Sequence, residues 1–299
     1  MLTQQGGKFA GKTPDWIYQT LPSFTNILYE EWLAINEHEM YKYPRTPHIE
    51  SSRLQPGDSD LSQIPFSYIA GKIIVVEEKL DGSNSAISFD SNGTLLLQSR
   101  GHYLTGGARE KHFNLLKQWA SIHQDAFYDV LGSRYVMYGE WMYAKHTVFY
   151  DNLSHYFFEF DIFDRQTGKF MDTPTRHEML SSLPIVSVPV LKNAAFGSLS
   201  ELMDLVGQSA FIKDGHIDRL REYCIKKGES DDRRCSETDP TVLMEGLYIK
   251  IESGGEVLER MKYVRSSFFQ SVMQSDSHWL DRPVVPNQLA YPLENIFIS

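Results

Sequence analysis

The sequence predicts an α+β protein of antiparallel β-sheets flanked by helices, and three features predict it. Strand-like runs follow one another closely over residues 72–99 and again over 245–264, helical periodicity is confined to blocks between them, and no regular β-α-β alternation occurs. With 299 residues, 41% hydrophobic and 23% charged, the chain can bury a substantial core and carries no compositional sign of disorder.

Each element has its own signal. An amphipathic helical stretch at about Thr25 to Glu39 leads into a Pro-rich segment from Tyr43 to Pro65. The first strong strand is Lys72 to Glu78, β-branched throughout Ile73-Ile74-Val75-Val76. Turn chemistry at Gly82 and Asn84 ends it, and Ser85 to Asp90 and Thr94 to Ser99 form a hairpin across Ser91-Asn92-Gly93. Residues 108–131 are helical by the spacing of Phe113, Leu116, Trp119 and Ala120. Strands follow at Arg134 to Trp141 and Tyr156 to Phe163, then helical stretches at Thr173 to Ser182 and Leu199 to Tyr223. The charged run Lys226 to Asp239 reads as a surface loop, strands return at Glu245 to Glu252 and Val257 to Val264, and a short helical tail closes the chain. The expected domains are a lead-in segment 1–70, a main domain 71–265 with a helical insertion at about 170–240, and a tail 266–299.

No run of about 18 apolar residues occurs and the N-terminus is polar, so no membrane association and a cytoplasmic location are expected. The spacing of the two cysteines, Cys224 and Cys235, fits neither a zinc site nor a redox pair, and both are expected as free thiols. A net charge of −10 argues against broad non-specific nucleic-acid binding, so any polyanion site must be a local patch.

Lys79 stands at the mouth of the first strand, followed by Leu80-Asp81-Gly82. An amine attacks phosphorus or carbonyl centres only when neutral, so such a nucleophile needs a lowered pKa. Burial and neighbouring cations lower it, and Lys250, Arg260 and Lys262 are expected to supply that field and to hold a polyphosphate. A solvated strand-end lysine beside a turn aspartate is the alternative.

Further pieces remove that ambiguity. Lys79-Leu80-Asp81-Gly82-Ser83-Asn84, Ser99-Arg100-Gly101, Tyr138-Gly139-Glu140-Trp141, Phe157-Phe158-Glu159-Phe160-Asp161-Ile162, Glu245-Gly246-Leu247-Tyr248-Ile249-Lys250 and Arg260-Met261-Lys262 occur in one order. Together they resemble the covalent nucleotidyltransferase superfamily of polynucleotide ligases and mRNA capping enzymes, and most of all the RNA ligases typified by the second RNA ligase of bacteriophage T4. Asn84, five residues after the lysine, and the aromatic strand at 157–162 carry the RNA-ligase likeness. Only 37 residues follow Lys262, so no OB domain is expected, nor the larger helical C-terminal domain of the T4-type ligase. Arg260 stands where the family usually has lysine.

The resemblance implies the nucleotidyltransferase (ATP-grasp-like ligase adenylation) fold and an ATP-dependent RNA ligase. Lys79 would take AMP from ATP with release of pyrophosphate, pass it to a 5′-phosphate end, and a 3′-hydroxyl would then displace it. Lys250 and Lys262, with Arg260, would contact the α-phosphate, and Arg100 the ribose or end phosphate. Glu140 would accept from a ribose hydroxyl, Asn84 belongs to the nucleotide site, and Glu78 would help read adenine. Phe157 would stack on adenine, with core packing as its alternative. Glu245 would position hydrated Mg²⁺, with Mn²⁺ as a substitute. Arg45, His102, Lys145 and His146, from basic and aromatic loops, would contact the nucleic acid. The expected partners are RNA ends and a separate end-healing kinase-phosphatase acting in RNA repair. The competing readings are a DNA ligase, a capping guanylyltransferase, or an end-binding module without catalysis.

Overall fold

The computed structural model describes residues 40–54, 58, 63–268 and 284–298. The chain divides into units 1–41 and 42–299, and the description concerns the second. The helix expected at 25–39 lies outside the described residues.

The main sheet is antiparallel along its path, in agreement with the predicted fold class. In chain order its strands are β1 (His48–Ile49), β2 (Gln63–Ile64), β3 (Ile74–Lys79), β4 (Ser83–Phe89), β5 (Leu95–Ser99), β6 (Tyr135–Trp141), β7 (Phe157–Asp164), β8 (Lys169–Met171), β9 (Val186–Ser187), β10 (Val190–Ala194), β11 (Gly246–Ser253) and β12 (Glu256–Val264). Along the sheet the order is β10-β3-β11-β12-β8-β7-β6-β4-β5. Three-residue β8 pairs with both β12 and β7, and so joins two antiparallel halves. β1 adds in parallel to β12, with His48 opposite Lys262.

The helices are α1 (Asn114–Ile122), α2 (Gln124–Leu131), α3 (Thr173–Leu180), α4 (Leu199–Met203), α5 (His216–Lys227) and α6 (Asp231–Ser236). The long helix expected over 199–223 is broken, because Gly207 and a left-handed Gly215 (φ +79°) intervene before α5. The charged run expected as a loop instead contains α6. Asp231 and Asp232 lie in its first turn and Arg233 and Arg234 in its last, which complements the helix dipole. β8 and β10 interrupt the expected helical insertion; five- and three-residue strands with mixed exposure leave little periodicity to read. At the C-terminal end the described residues form a single 3-10 turn, Leu293–Phe297.

Each half-sheet has its own apolar cluster. Trp119 and Phe127 from α1 and α2 pack on Ile87, Met137, Trp141, Phe157, Phe158 and Ile162, and full burial of such side chains contributes about 1.5–3 kcal/mol each. Ile74, Val76, Leu247, Ile249, Met261 and Tyr263 form the second cluster, closed by Leu202 of α4. Lys79, Asn84, Glu140 and Lys262, which alternate with the cluster residues along β3, β4, β6 and β12, belong to the site.

Candidate active site

The site is built where β3 ends. Asp81 fixes the chain leaving Lys79: its Oδ2 accepts from the backbone N–H groups of Thr147 and Val148, each at 2.8 Å, and its own N–H donates to the Tyr150 hydroxyl at 3.0 Å. A Cβ on Gly82 would lie 2.6 Å from the Met142 sulfur and 2.8 Å from the Trp141 carbonyl oxygen, so only glycine fits there. Gly82 N–H donates to Glu140 Oε1 at 3.0 Å, and Asn84 lies opposite Glu140 in the β4–β6 register. Register also brings Glu245 to Lys79: Gly246 pairs with Lys79, and Lys79 Nζ donates to Glu245 Oε2 at 2.6 Å.

These groups line a cavity of about 1120 Å³. Of the residues expected from the sequence, Lys79, Glu78, Asn84, Arg100, His102, Glu140, Glu245 and Lys262 border it. Burial holds the Glu140 carboxyl up at about 8; Lys79 opposes this, while Glu245 and Asp81 reinforce it. Burial likewise holds Glu78 at about 7 against a hydrogen bond from Ser209, and its Oε1 is buried with no hydrogen-bond partner.

Four expectations are corrected by the geometry. Lys250 is fully buried and off the cavity, with Nζ donating to the Phe160 carbonyl at 2.6 Å and paired with Glu77 at 2.9 Å and Asp161 at 3.1 Å. Arg260 is also off it, over the Phe170 ring at 3.8 Å and 3.7 Å from Asp161. A cationic field lowering Lys79 is therefore not what surrounds it. Burial pushes Lys79 down, but the carboxylates of Glu245, Glu140 and Asp81 outweigh this and raise its pKa. Finally, Phe157 is a core residue, fully buried 5.4 Å from Trp119 and lying against Gly139. The cavity is lined by Phe160 instead. The β6–β7 ladder pairs Tyr138 with Asp161 and Gly139 with Glu159, so Phe160 is the extra residue of a β-bulge, which breaks the simple alternation assumed from sequence.

The basic loop residues divide. His102 is at the cavity with its ring on the Ser99 hydroxyl at 3.0 Å. His146 binds the Ser83 hydroxyl at 3.1 Å from behind the turn, Lys145 is turned onto the carbonyls of His146 and Glu237, and burial pushes Lys145 down to about 8. Lys145, His146 and Arg45 do not line the cavity. Arg45 is half-exposed and reaches Asp58 at 3.4 Å. Sequence reasoning missed Tyr43, Thr46, Phe160, Val188 and Tyr248 as lining residues. Tyr43, Tyr248 and Thr46 are joined by their hydroxyls at 2.6 and 2.7 Å, with Tyr43 also donating to Asp161. Tyr248 was legible from its two-residue offset from Lys250 on β11, while Tyr43 and Thr46 carried only the compact basic and Pro-rich character of their segment.

Among the described residues no group of three His, Cys, Asp or Glu side chains could hold a metal ion by itself. A hydrated Mg²⁺ needs only one or two carboxylates plus substrate phosphates, and Glu245 fits that demand.

The chain resembles several solved RNA ligases. A Naegleria gruberi RNA ligase with ATP and Mn matches over 68% of this chain and 52% of its own, at 15% identity and TM-score 0.44. An archaeal ATP-dependent RNA ligase matches over 76% and 49%, at 17% identity and TM-score 0.45. The chain thus spans about half the length of each of these two. No curated protein matches. The RNA ligase family model matches residues 72–264, from the strand before Lys79 to the end of β12, and the chain belongs to the RNA ligase family.

Proposed function

We propose that this chain is an ATP-dependent RNA ligase that carries AMP on Lys79. The observation that supports it best is the Lys79 amine bordering the cavity, hydrogen-bonded to Glu245 and accompanied by Glu140, Asn84, Arg100 and Lys262, all within the family-matched segment.

In the first step the Lys79 nitrogen attacks the α-phosphorus of ATP, an N–P bond forms, and the bond to the pyrophosphate oxygen breaks. The proton that Lys79 must lose already lies in its hydrogen bond to Glu245, so this carboxylate is the acceptor. Positioning and charge neutralisation dominate displacement at phosphorus, and Lys262 is the cation from the expected set that reaches the cavity. A bound Mg²⁺, or Mn²⁺, would supply positive charge to the phosphate oxygens and favour the neutral amine. Phe160 and Tyr248 offer the aromatic wall for adenine, and Glu78 Oε1, buried without a hydrogen-bond partner, is suited to hydrogen-bond the base edge.

In the second step a 5′-phosphate oxygen attacks the same phosphorus and frees Lys79. In the third a 3′-hydroxyl attacks the activated end and AMP leaves. Exposed Arg100 at the cavity would meet the incoming strand. The RNA ends are expected to be prepared by a separate kinase-phosphatase, in RNA repair. The free thiols Cys224 and Cys235 fit a reducing, cytoplasmic setting. Among the described residues no helix is long and apolar enough to cross a membrane.

The test is intact mass with α-labelled nucleotide, comparing wild type and Lys79→Ala with Mg²⁺ and ATP or GTP. An AMP adduct lost in Lys79→Ala is the expected result. No adduct from folded, AMP-free protein would overturn the ligase reading, and a GMP adduct would replace it with capping chemistry. Nicked and single-stranded RNA and DNA bearing 5′-phosphates then test the substrate, and sealing of all-DNA nicks alone would defeat the RNA assignment.

A further inference from the structure

Lys262 lines the cavity, and behind it, off the cavity wall, stand Asp58, His48 and Arg45. Asp58 Oδ2 accepts from the Lys262 ammonium at 2.5 Å and lies 2.9 Å from His48 Nε2, while Arg45 reaches Oδ1 at 3.4 Å. The arrangement is braced from behind. Lys262 N–H donates to the Pro47 carbonyl at 2.9 Å, and fully buried His48 is held through Nδ1 by the Ser52 hydroxyl at 2.6 Å. Burial pushes the Asp58 carboxyl up, but hydrogen bonds from Lys262 and His48 outweigh it and hold it at about 2, so it stays ionised at neutral pH. Lys79 lies near enough to depress Lys262, and neighbouring Thr46 lines the same cavity. Arg45, His48 and Asp58 all precede the family-matched segment, which starts at residue 72.

Two cationic side chains and an imidazole converging on one carboxylate reproduce the donor set that binds a phosphate oxyanion. We infer that Arg45, His48 and Lys262 form a phosphate subsite adjoining the ligation pocket and reached from it past Lys262, in which Asp58 holds, in the nucleotide-free protein, the place an incoming phosphate group takes. The inference rests on the ligase reading. Phosphate reaches this subsite either as the pyrophosphate portion of ATP or as the 5′-phosphate of an RNA end. An internal carboxylate on Lys262 lowers the apparent affinity for either, since only the fraction of protein with Lys262 released is competent.

The experiment is calorimetric titration of the full chain with inorganic pyrophosphate, ATP, and one RNA bearing either a 5′-phosphate or a 5′-hydroxyl. Wild type is compared with Asp58→Asn, Arg45→Gln and the double variant, and thermal melts check folding. Asp58→Asn is expected to bind phosphate about three- to tenfold more tightly, and Arg45→Gln in the same chain to remove the gain. A gain for pyrophosphate and ATP assigns the subsite to the leaving group; a gain only for 5′-phosphorylated RNA assigns it to the end. Equal or weaker binding of all four by folded Asp58→Asn would overturn the inference and leave Asp58 as a support for Lys262. If Asp58→Asn does not fold, Arg45→Gln alone decides: weaker phosphate binding supports the subsite, and unchanged binding overturns it. Binding requires no chemistry, so a protein that forms no adduct would fail as a ligase without deciding these titrations.

Discussion

Two clusters of charge lie close together along β11 and β12 and behave in opposite ways. Around Lys79, the side chains of Glu140, Glu245 and Lys262 border the cavity, and Glu78 and Glu140 carry pKa values well away from their ordinary ones. Five residues beyond Glu245, on β11, and two residues back from Lys262 along β12, Lys250 and Arg260 join Arg176 against Glu77, Glu159 and Asp161, with Arg176 bonding both Glu77 and Glu159. That second group has three cations against three carboxylates and is almost wholly withdrawn from solvent. The same residue types thus border a cavity in one place and hold the half-sheets in place where they meet each other. Depth along the strand, and not motif membership, decides which.

Breaking the sealed group should have the largest effect. Lys250→Met leaves Glu77 and Asp161 buried beside a lost partner and is expected to cost about 3–5 kcal/mol in urea unfolding. Lys262→Met should cost less, about 1–3 kcal/mol, because Asp58 keeps His48 and Arg45, and should also weaken ATP binding. Equal stability losses for the two would erase the distinction. Phe157 and Phe160 sharpen it among aromatics. Phe157→Ala is expected to lose about 3–5 kcal/mol of stability. Phe160→Ala should show itself mainly as about 1–3 kcal/mol of lost ATP affinity, read by titration.

The next effect is pH-dependent. Burial holds Glu140 at about 8, so the folded protein retains a proton that the unfolded chain releases near 4.5. This contribution to stability is full below about 4.5 and is lost as pH rises through 8. Glu78, held at about 7 by burial, adds loss in the same direction. Glu140→Gln should therefore flatten the decline of unfolding free energy between pH 5 and 8, an interval set by those two values; an unchanged slope would show that Glu140 does not carry it. The smallest structural effect is expected at exposed Arg100: Arg100→Ala should leave the melting temperature and the proposed Lys79 adduct intact while slowing the sealing of 5′-phosphorylated RNA.

Much of this was legible in the chain. Strand periodicity located β3, β4, β5, β6, β7, β11 and β12 within one or two residues, because half-buried and buried strands write their environment into residue type. Lys79, Glu140, Glu245 and Lys262 were identifiable because ordered short motifs constrain which residues meet at one site. The short strands β8 and β10 were not legible, since a three- or five-residue strand of mixed exposure has too little pattern to distinguish from the helices around it.

What the sequence by itself determined was the antiparallel α+β class, the identity of the nucleophile candidate and the set of charged residues that accompany it. Only the tertiary structure decided how that set is divided. A single bulge residue, Phe160, moved the aromatic wall from Phe157, and pairing across the two half-sheets committed Lys250 and Arg260 to buried carboxylates. Asp58, from a segment with no strand or helix pattern, came to rest on Lys262. Strand register and the low dielectric of the interior set these outcomes, and both depend on which distant residues meet, which one-dimensional periodicity does not encode.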